Sequence, residues 1–258
     1  MSLYQKIKSK IAPNKKKLYD SLENSWKHMG ENDPFYSVVT DDQFKNENIS
    51  EEVLENFYFR TGCKQLCEYV NEQLKVLKGK SLEDFKELRG LDFGCGVGRN
   101  SIHLAPYFKE LVGLDISEGV LLKAREICKK QNIKNIDFYK SNDRITTFGK
   151  FDFIFSVITL QHIPPPLMKD YIRQLLSMLN PNGFAFLQLP IAAHGYRFLE
   201  NQHIEKEKKE RSWNMHILPE KVVRKVISDE NCKLLNLDLD FDLCGGKWKS
   251  AFFTIEKK

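Results

Sequence analysis

From about Arg89 onward, short apolar runs alternate with stretches whose apolar positions recur every three or four residues. "RGLDF" precedes a predicted helix carrying Ile102, Leu104, Ala105 and Phe108. "LVGLD" precedes one with Leu121, Ala124 and Cys128 on a single face. "IDFY" follows, and "FDFIFSVI" is long and apolar enough for a strand buried on both faces. Leu167, Met168, Tyr171, Ile172, Leu175, Leu176 and Leu179 then keep helical spacing until "NPNG" at 180–183, after which "FAFLQL" reads as a strand. Pro219 opens a helix with Val222, Val223, Val226 and Ile227, and "CKLLNLDLDF" and "SAFFTIE" close the chain as strands. The alternation predicts an α/β, doubly wound, seven-stranded and mostly parallel sheet. No helix separates the last two strands, so the final one is predicted to run antiparallel.

Residues before about 80 break this rhythm. "SEEVLENFYFRTG" and "KQLCEYVNEQLKVL" read as helices, the second with Leu66, Val70, Leu74 and Leu77 on one side. The expected organisation is a helical cap over 1–80 and a core over 81–258. Within the core, 192–218 is read as a lid on the substrate side. "EKEKKER" at 205–211 alternates in sign and reads as an exposed helix or lid segment.

The stretch "LDFGCGVGRN" (91–100) places Gly94, Gly96 and Gly98 directly after the first strand, where two of them are expected to open a helix. Glycine is a poor helix former, so the loop has another purpose. Backbone N–H groups in the first strand-to-helix turn of such a sheet can approach a ligand closely. Asp115 closes the second strand 21 residues after Gly94 (115 minus 94), where a carboxylate can accept hydrogen bonds from two ribose hydroxyls. A dinucleotide fingerprint would need glycine at 99, where Arg99 stands, and no Gly-Lys-Ser/Thr ends a phosphate loop.

The order of these motifs resembles the class I S-adenosylmethionine-dependent methyltransferases of small-molecule type, over roughly Phe85 to Lys258. The resemblance rests on the glycine turn after Asp92, the acid at 115, "SND" at 141–143, "FDFIFSVITLQHI" and "NPNGFAFLQLP". It implies S-adenosyl-L-methionine as cofactor and S-adenosyl-L-homocysteine as product. It further implies cofactor contacts from Asp92, Gly94, Gly96, Asp115 and Ile116, from Asn142 and Asp143 beside the adenine, and from Val157. Asp92 is expected to hold the glycine loop or the cofactor's amine. Arg99 is either a solvated first-turn residue or a partner for the cofactor's carboxylate. His162, just beyond the fourth strand, and His216, after the fifth, are the candidate bases, with His194 a further one. Tyr36, Tyr196, Trp26 and Phe59 either line an acceptor pocket or pack. His28, His103 and His203 carry no such signal.

Composition narrows the acceptor. The net charge is a modest +5, with six lysines and no acid before Tyr19; this basic arm keeps RNA open as a partner. DNA is disfavoured, because "SVIT" and "IPPP" lack the Asp/Asn/Ser-Pro-Pro-aromatic pattern of base-modifying relatives. The segment "WKHMGENDPFYSVVTDDQF" resembles those preceding the core in bacterial members of the family that modify metabolites, sugars or surface-polymer precursors. The expected acceptor is an O or N atom of such a small molecule. The alternatives are a catalytically silent cofactor-binding protein acting through a partner, or an RNA methyltransferase. Six scattered cysteines (63, 67, 95, 128, 232, 244) are read as reduced thiols, and no metal site is expected. No run is long and apolar enough to span a bilayer and no signal peptide is visible, so a cytoplasmic location is expected. The sequence carries no sign of the oligomeric state.

Overall fold

The computed structural model describes residues 14–60, 63–210, 214–240 and 248–258; the start of the basic arm, Trp213 and Cys244 lie outside them. Five α- and π-helical segments cover most of the described residues before 80. They are α1 (Lys15–Asn32), α2 (Pro34–Val38), α3 (Glu51–Glu55), a π-helical turn (Asn56–Arg60) and α4 (Cys63–Lys78). Strand–helix alternation follows: β1 (Arg89–Phe93), α5 (Ser101–Leu104), β2 (Glu110–Asp115), α6 (Glu118–Lys130), β3 (Ile136–Lys140), β4 (Phe151–Ser156) and α7 (Pro165–Ser177). β5 (Leu179–Ala193), α8 (Glu200–Glu210), α9 (Glu220–Asp229), β6 (Cys232–Asp240) and β7 (Trp248–Lys257) complete the chain.

The seven strands form one sheet in the order β3-β2-β1-β4-β5-β7-β6. β1 to β5 pair in parallel, while β7 runs antiparallel to both β5 and β6. The fold class is therefore the one the hydrophobic pattern predicts. Two local expectations change. The glycines do not open a helix: Gly94, Gly96 and Gly98 all sit at positive φ in a loop, and α5 starts only at Ser101. That helix is four residues long and gives way to a 3-10 turn over Ala105–Tyr107, where Pro106 removes a backbone donor.

The central strands are buried on both faces. Leu91, Val112, Ile154, Leu187 and Phe253 pack with α7 and α9 on one side. Phe153, Phe155, Phe184 and Phe186 pack with Val70, Leu74 and Phe85 on the other. The first 80 residues consequently divide rather than forming one cap. α4 belongs to the sheet's second face, where Tyr69 donates to Asp238 and Lys78 pairs with Glu256 at 2.7 Å. α1 instead joins the first core through Leu18, Tyr19 and Leu22 and lies across the carboxyl ends of the strands.

α1 fits there because two glycines allow close approach. A Cβ on Gly119 would lie 2.4 Å from the Gly30 carbonyl oxygen, and one on Gly30 would lie 2.2 Å from Ser117 Oγ. The segment read as an exposed lid is also partly buried: α8 packs on α1, with His203 and Glu207 turned inward. Among the described residues, no helix is long and apolar enough to cross a membrane.

Candidate active site

The strand order reverses between β1 and β4, and a doubly wound sheet opens a crevice at such a point. Ser156 Oγ donates to the Phe93 carbonyl at 2.9 Å and joins the two strand ends there. A pocket of about 890 Å³, its open mouth included, lies beyond them. Gly94, Gly96, Arg99, Asp115, Ile116, Val157 and His162 all line it. α1 contributes Leu22 and Trp26 to its roof, and α2 contributes Ser37 and Val38.

The loop's conformation is specified by its partners. Gly94 and Cys95 donate their N–H groups to the Leu114 carbonyl at 2.7 and 3.1 Å. Gly96, at φ +54°, donates to Asp115 Oδ2 at 3.0 Å, and a Cβ there would lie 2.9 Å from Val38. Asp115 Oδ1 accepts the Ser117 N–H at 2.9 Å. Burial raises the Asp115 carboxyl to about 6 against the pull of these N–H donors. Each carboxylate oxygen keeps a lone pair for a ligand hydroxyl.

Asp92 stands behind this wall. It is buried, accepts the Ser101 hydroxyl at 2.6 Å and is raised to about 7, chiefly by burial and further by Asp115. Its contact is with the residue opening α5, so it braces the glycine loop rather than lining the pocket. The "SND" motif divides as well. Ser141 lines the pocket and accepts the Tyr19 hydroxyl on its carbonyl at 3.4 Å. Asn142 and Asp143 are exposed and outside it. Asn142 accepts the Arg144 N–H in a turn, while its carbonyl accepts the Tyr171 hydroxyl at 3.0 Å.

His162 faces the pocket, its ring 5.4 Å from that of Trp26 in an edge-on arrangement. Its partners set its tautomer. The Asn214 carbonyl lies 3.2 Å from Nδ1, which must donate to it; Nε2, 3.2 Å from Gln161 Nε2, then accepts. Burial lowers this imidazole to about 4, so it is neutral at pH 7. His216 lies outside the pocket, buried in a cluster with His203, Tyr196 and Phe198. His194 is exposed beyond β5.

Four contributors carried no sequence signal as site residues. Thr159 lies against Gly94, with Oγ1 3.2 Å from its carbonyl oxygen. Ile158 lines the rim at φ +57°, its N–H held by the buried Gln188. His203, buried on α8 behind the pocket, carries no such signal either.

Comparison with known proteins agrees with this geometry. Residues 91–183 match the family model described as a methyltransferase domain. Residues 91–183 form a methyltransferase domain. The cofactor of this family is S-adenosylmethionine. The domain is 30% identical over 121 residues to a ubiquinone biosynthesis O-methyltransferase of Dinoroseobacter shibae, a match covering 45% of this chain and 48% of that protein. Matches to the first curated relatives span between 37% and 56% of those proteins' lengths. Among solved structures, magnesium protoporphyrin IX methyltransferase from Synechocystis PCC 6803 with bound S-adenosylhomocysteine is similar with a TM-score of 0.63. It is 19% identical, and the match covers 92% of this chain and 100% of that one. The [4+2]-cyclase SpnF shares the fold at a TM-score of 0.56 and 15% identity, covering 75% of this chain and 80% of that one.

The methyltransferase domain's pocket fits that cofactor. Its glycine cradle has no room for side chains: a Cβ on Gly94 would lie 2.0 Å from Thr159. The Asp115 carboxylate is in the wall, and apolar Ile116 and Val157 flank it.

Proposed function

We propose that this protein is a methyltransferase that moves a methyl group from S-adenosyl-L-methionine to an O or N atom of a small molecule. The observation that carries the reading is the Asp115 carboxylate, fixed by Gly96 and Ser117 beside a glycine loop that opens into the pocket. When bound, the cofactor supplies an electrophilic methyl group on a sulfonium, with a neutral thioether as leaving group.

The chain's own residues hold, align and dry the site. Asp115 would accept the ribose hydroxyls, Gly94 and Gly96 would lie against the methionine portion, and Ile116 and Val157 would face the adenine. Trp26 offers an aromatic face to a sulfonium, an interaction of about 0.5–2 kcal/mol. α1 and α2 exclude water, which keeps an acceptor aligned.

His162 is the titratable imidazole in the pocket wall, whereas His216 stands off it. With its pKa at about 4, protonating it at pH 7 is uphill by roughly 4 kcal/mol, at 1.36 kcal/mol per unit. Such a group orients an acceptor and takes up its proton only as that proton becomes acidic. This favours a neutral amine or an acidified hydroxyl as the methylated atom.

The test is transfer of radiolabelled methyl groups from S-adenosylmethionine to a panel of phenols, alcohols and primary amines. Product formation supports the reading. Tight S-adenosylhomocysteine binding with no transfer to any member would favour a silent cofactor-binding protein instead.

A further inference from the structure

Three side-chain atoms behind the pocket are buried with no hydrogen-bond partner among the described residues: Gln161 Oε1, His203 Nε2 and His216 Nε2. Their residues are 4%, 8% and 4% exposed, and His216 touches both of the others. The two imidazole rings lie 4.9 Å apart, and the His216 backbone N–H donates to the Gln161 carbonyl at 2.6 Å. Buried polar atoms are nearly always paired, so three unpaired ones in one cluster require a reason.

The surroundings define what each atom offers. The phenol of Tyr196 is a better donor than an imidazole N–H, so its 2.8 Å contact with His216 Nδ1 makes that nitrogen the acceptor. His216 Nε2 then carries a hydrogen with nothing to receive it. Gln161 donates its amide to His162, so its Oε1 is an acceptor with nothing to accept. His203 Nε2 can serve as either. Among the described residues, Lys206 is the cation whose charge reaches both imidazoles, and it is bound to Asn214 Oδ1 at 2.7 Å. The Glu207 carboxylate, which accepts from Ser25 and Asn214, would repel an anion.

We infer that Gln161, His203 and His216 form the anchoring site for the methyl acceptor, and that they select an uncharged molecule bearing a hydroxyl or amide group. Such a group accepts from His216 and donates to Gln161. It would enter between His203 on α8 and the Gln161–His216 rim. α8 is suited to move aside, since side-chain bonds from Ser25 and Asn214 to Glu207 and packing on α1 hold it. Gln161 also touches His162, so an anchored acceptor lies next to the cofactor pocket. This assignment rests on the methyltransferase reading for the acceptor's identity, but not for the site.

Histidine ring nitrogen resonances, followed by NMR in the full chain, test it with acetamide as the neutral probe and sodium acetate as the charged one. Titrations run with and without S-adenosylhomocysteine, whose own binding is measured separately by calorimetry. Acetamide is expected to shift the His203 and His216 rings saturably, and acetate at equal concentration less than one-tenth as far. Gln161→Met should weaken acetamide roughly tenfold, the effect of one lost hydrogen bond of about 1.4 kcal/mol. His203→Phe, which keeps the packing against Phe198, should weaken it similarly. No saturable shift, an equal response to acetate, or an unchanged response in both variants would overturn the inference. Acetamide docking without S-adenosylhomocysteine binding would leave the site standing and remove the methyltransferase reading. The reverse result would remove the site alone.

Discussion

The backbone N–H of Ile158 donates to Gln188 Oε1 at 2.8 Å, and that bond holds a β-branched residue at φ +57° on the pocket rim. The other non-glycine residues at positive φ among those described are Asn132, Asn182 and Asn231, a residue type that tolerates this region. Ile158 is 45% exposed, so burial does not repay its strain. Backbone strain of this sort concentrates at functional sites.

Gln188→Leu should therefore destabilise the fold by about 1–3 kcal/mol, because it strands the Ile158 N–H and the buried Ser250 hydroxyl. Ile158→Gly should be neutral or stabilising: relief of roughly 1–2 kcal/mol of strain exceeds the ~0.5–1 kcal/mol entropic cost of glycine. Denaturant titration measures both. A loss above about 1 kcal/mol in Ile158→Gly would show that its side chain acts as core.

Acid should weaken the fold, but less than its histidines alone would require. His162, His203 and His216 are lowered from 6.5 to about 4, 4 and 3, mainly by burial. Their stabilising effect is fully present above 6.5 and is lost as pH falls, since the unfolded chain takes up three protons first. Asp92 and Asp115 are raised from 3.8 to about 7 and 6, so they act oppositely. The folded chain holds two extra protons between pH 4 and 6, and that stability is lost as pH rises through 6 and 7. Three protons against two leave the histidines ahead, and Glu207, also raised by burial, narrows the margin, so at most about 1.4 kcal/mol is lost per unit of acidification in that window. His203→Phe should flatten the slope, and Asp92→Asn should roughly double it. Denaturation at stepped pH decides, and stability that increases from pH 6 to pH 4 in the unmodified protein would contradict the assignment.

Cofactor should close the roof. α1 carries Leu22 and Trp26 over the pocket, and its Ser25 donates to Glu207 of α8. Its half-exposed ion pairs, Lys15–Asp170 and Lys140–Glu23, contribute little, which leaves the packing of Leu18, Tyr19 and Leu22 to hold α1 when the pocket is empty. Amide hydrogen exchange should slow in α1 on addition of S-adenosylhomocysteine, beyond any change in β1 and β4. Identical exchange in α1 with and without it would mean that the helix is a fixed cover.

The parts of the site fixed by local chemistry were legible in the sequence. A glycine turn after an apolar run and an acid at the end of the next strand mark Gly96 and Asp115, which the structure joins by a hydrogen bond. Side chains on loops were less legible. Ser141, Asn142 and Asp143 are consecutive, yet only Ser141 faces the pocket, because its N–H is drawn to the Asp115 carbonyl at 2.7 Å and the chain then turns. α1 had a readable stripe in Leu18, Leu22 and Trp26, four residues apart, hidden among lysines and acids. His203 had none. It sits in "NQHIEKEKKE", a helix polar on nearly every side, and its burial comes from α1 packing on α8.

Isothermal calorimetry with S-adenosylhomocysteine tests the central claim most directly. The account predicts one molecule bound per chain, no binding of NAD, and at least tenfold weaker affinity in a folded Asp115→Ala variant. That loss corresponds to about 1.5–3 kcal/mol for a charged hydrogen-bonding partner. No saturable heat with S-adenosylhomocysteine, equal binding of NAD, or unchanged affinity in Asp115→Ala would contradict it.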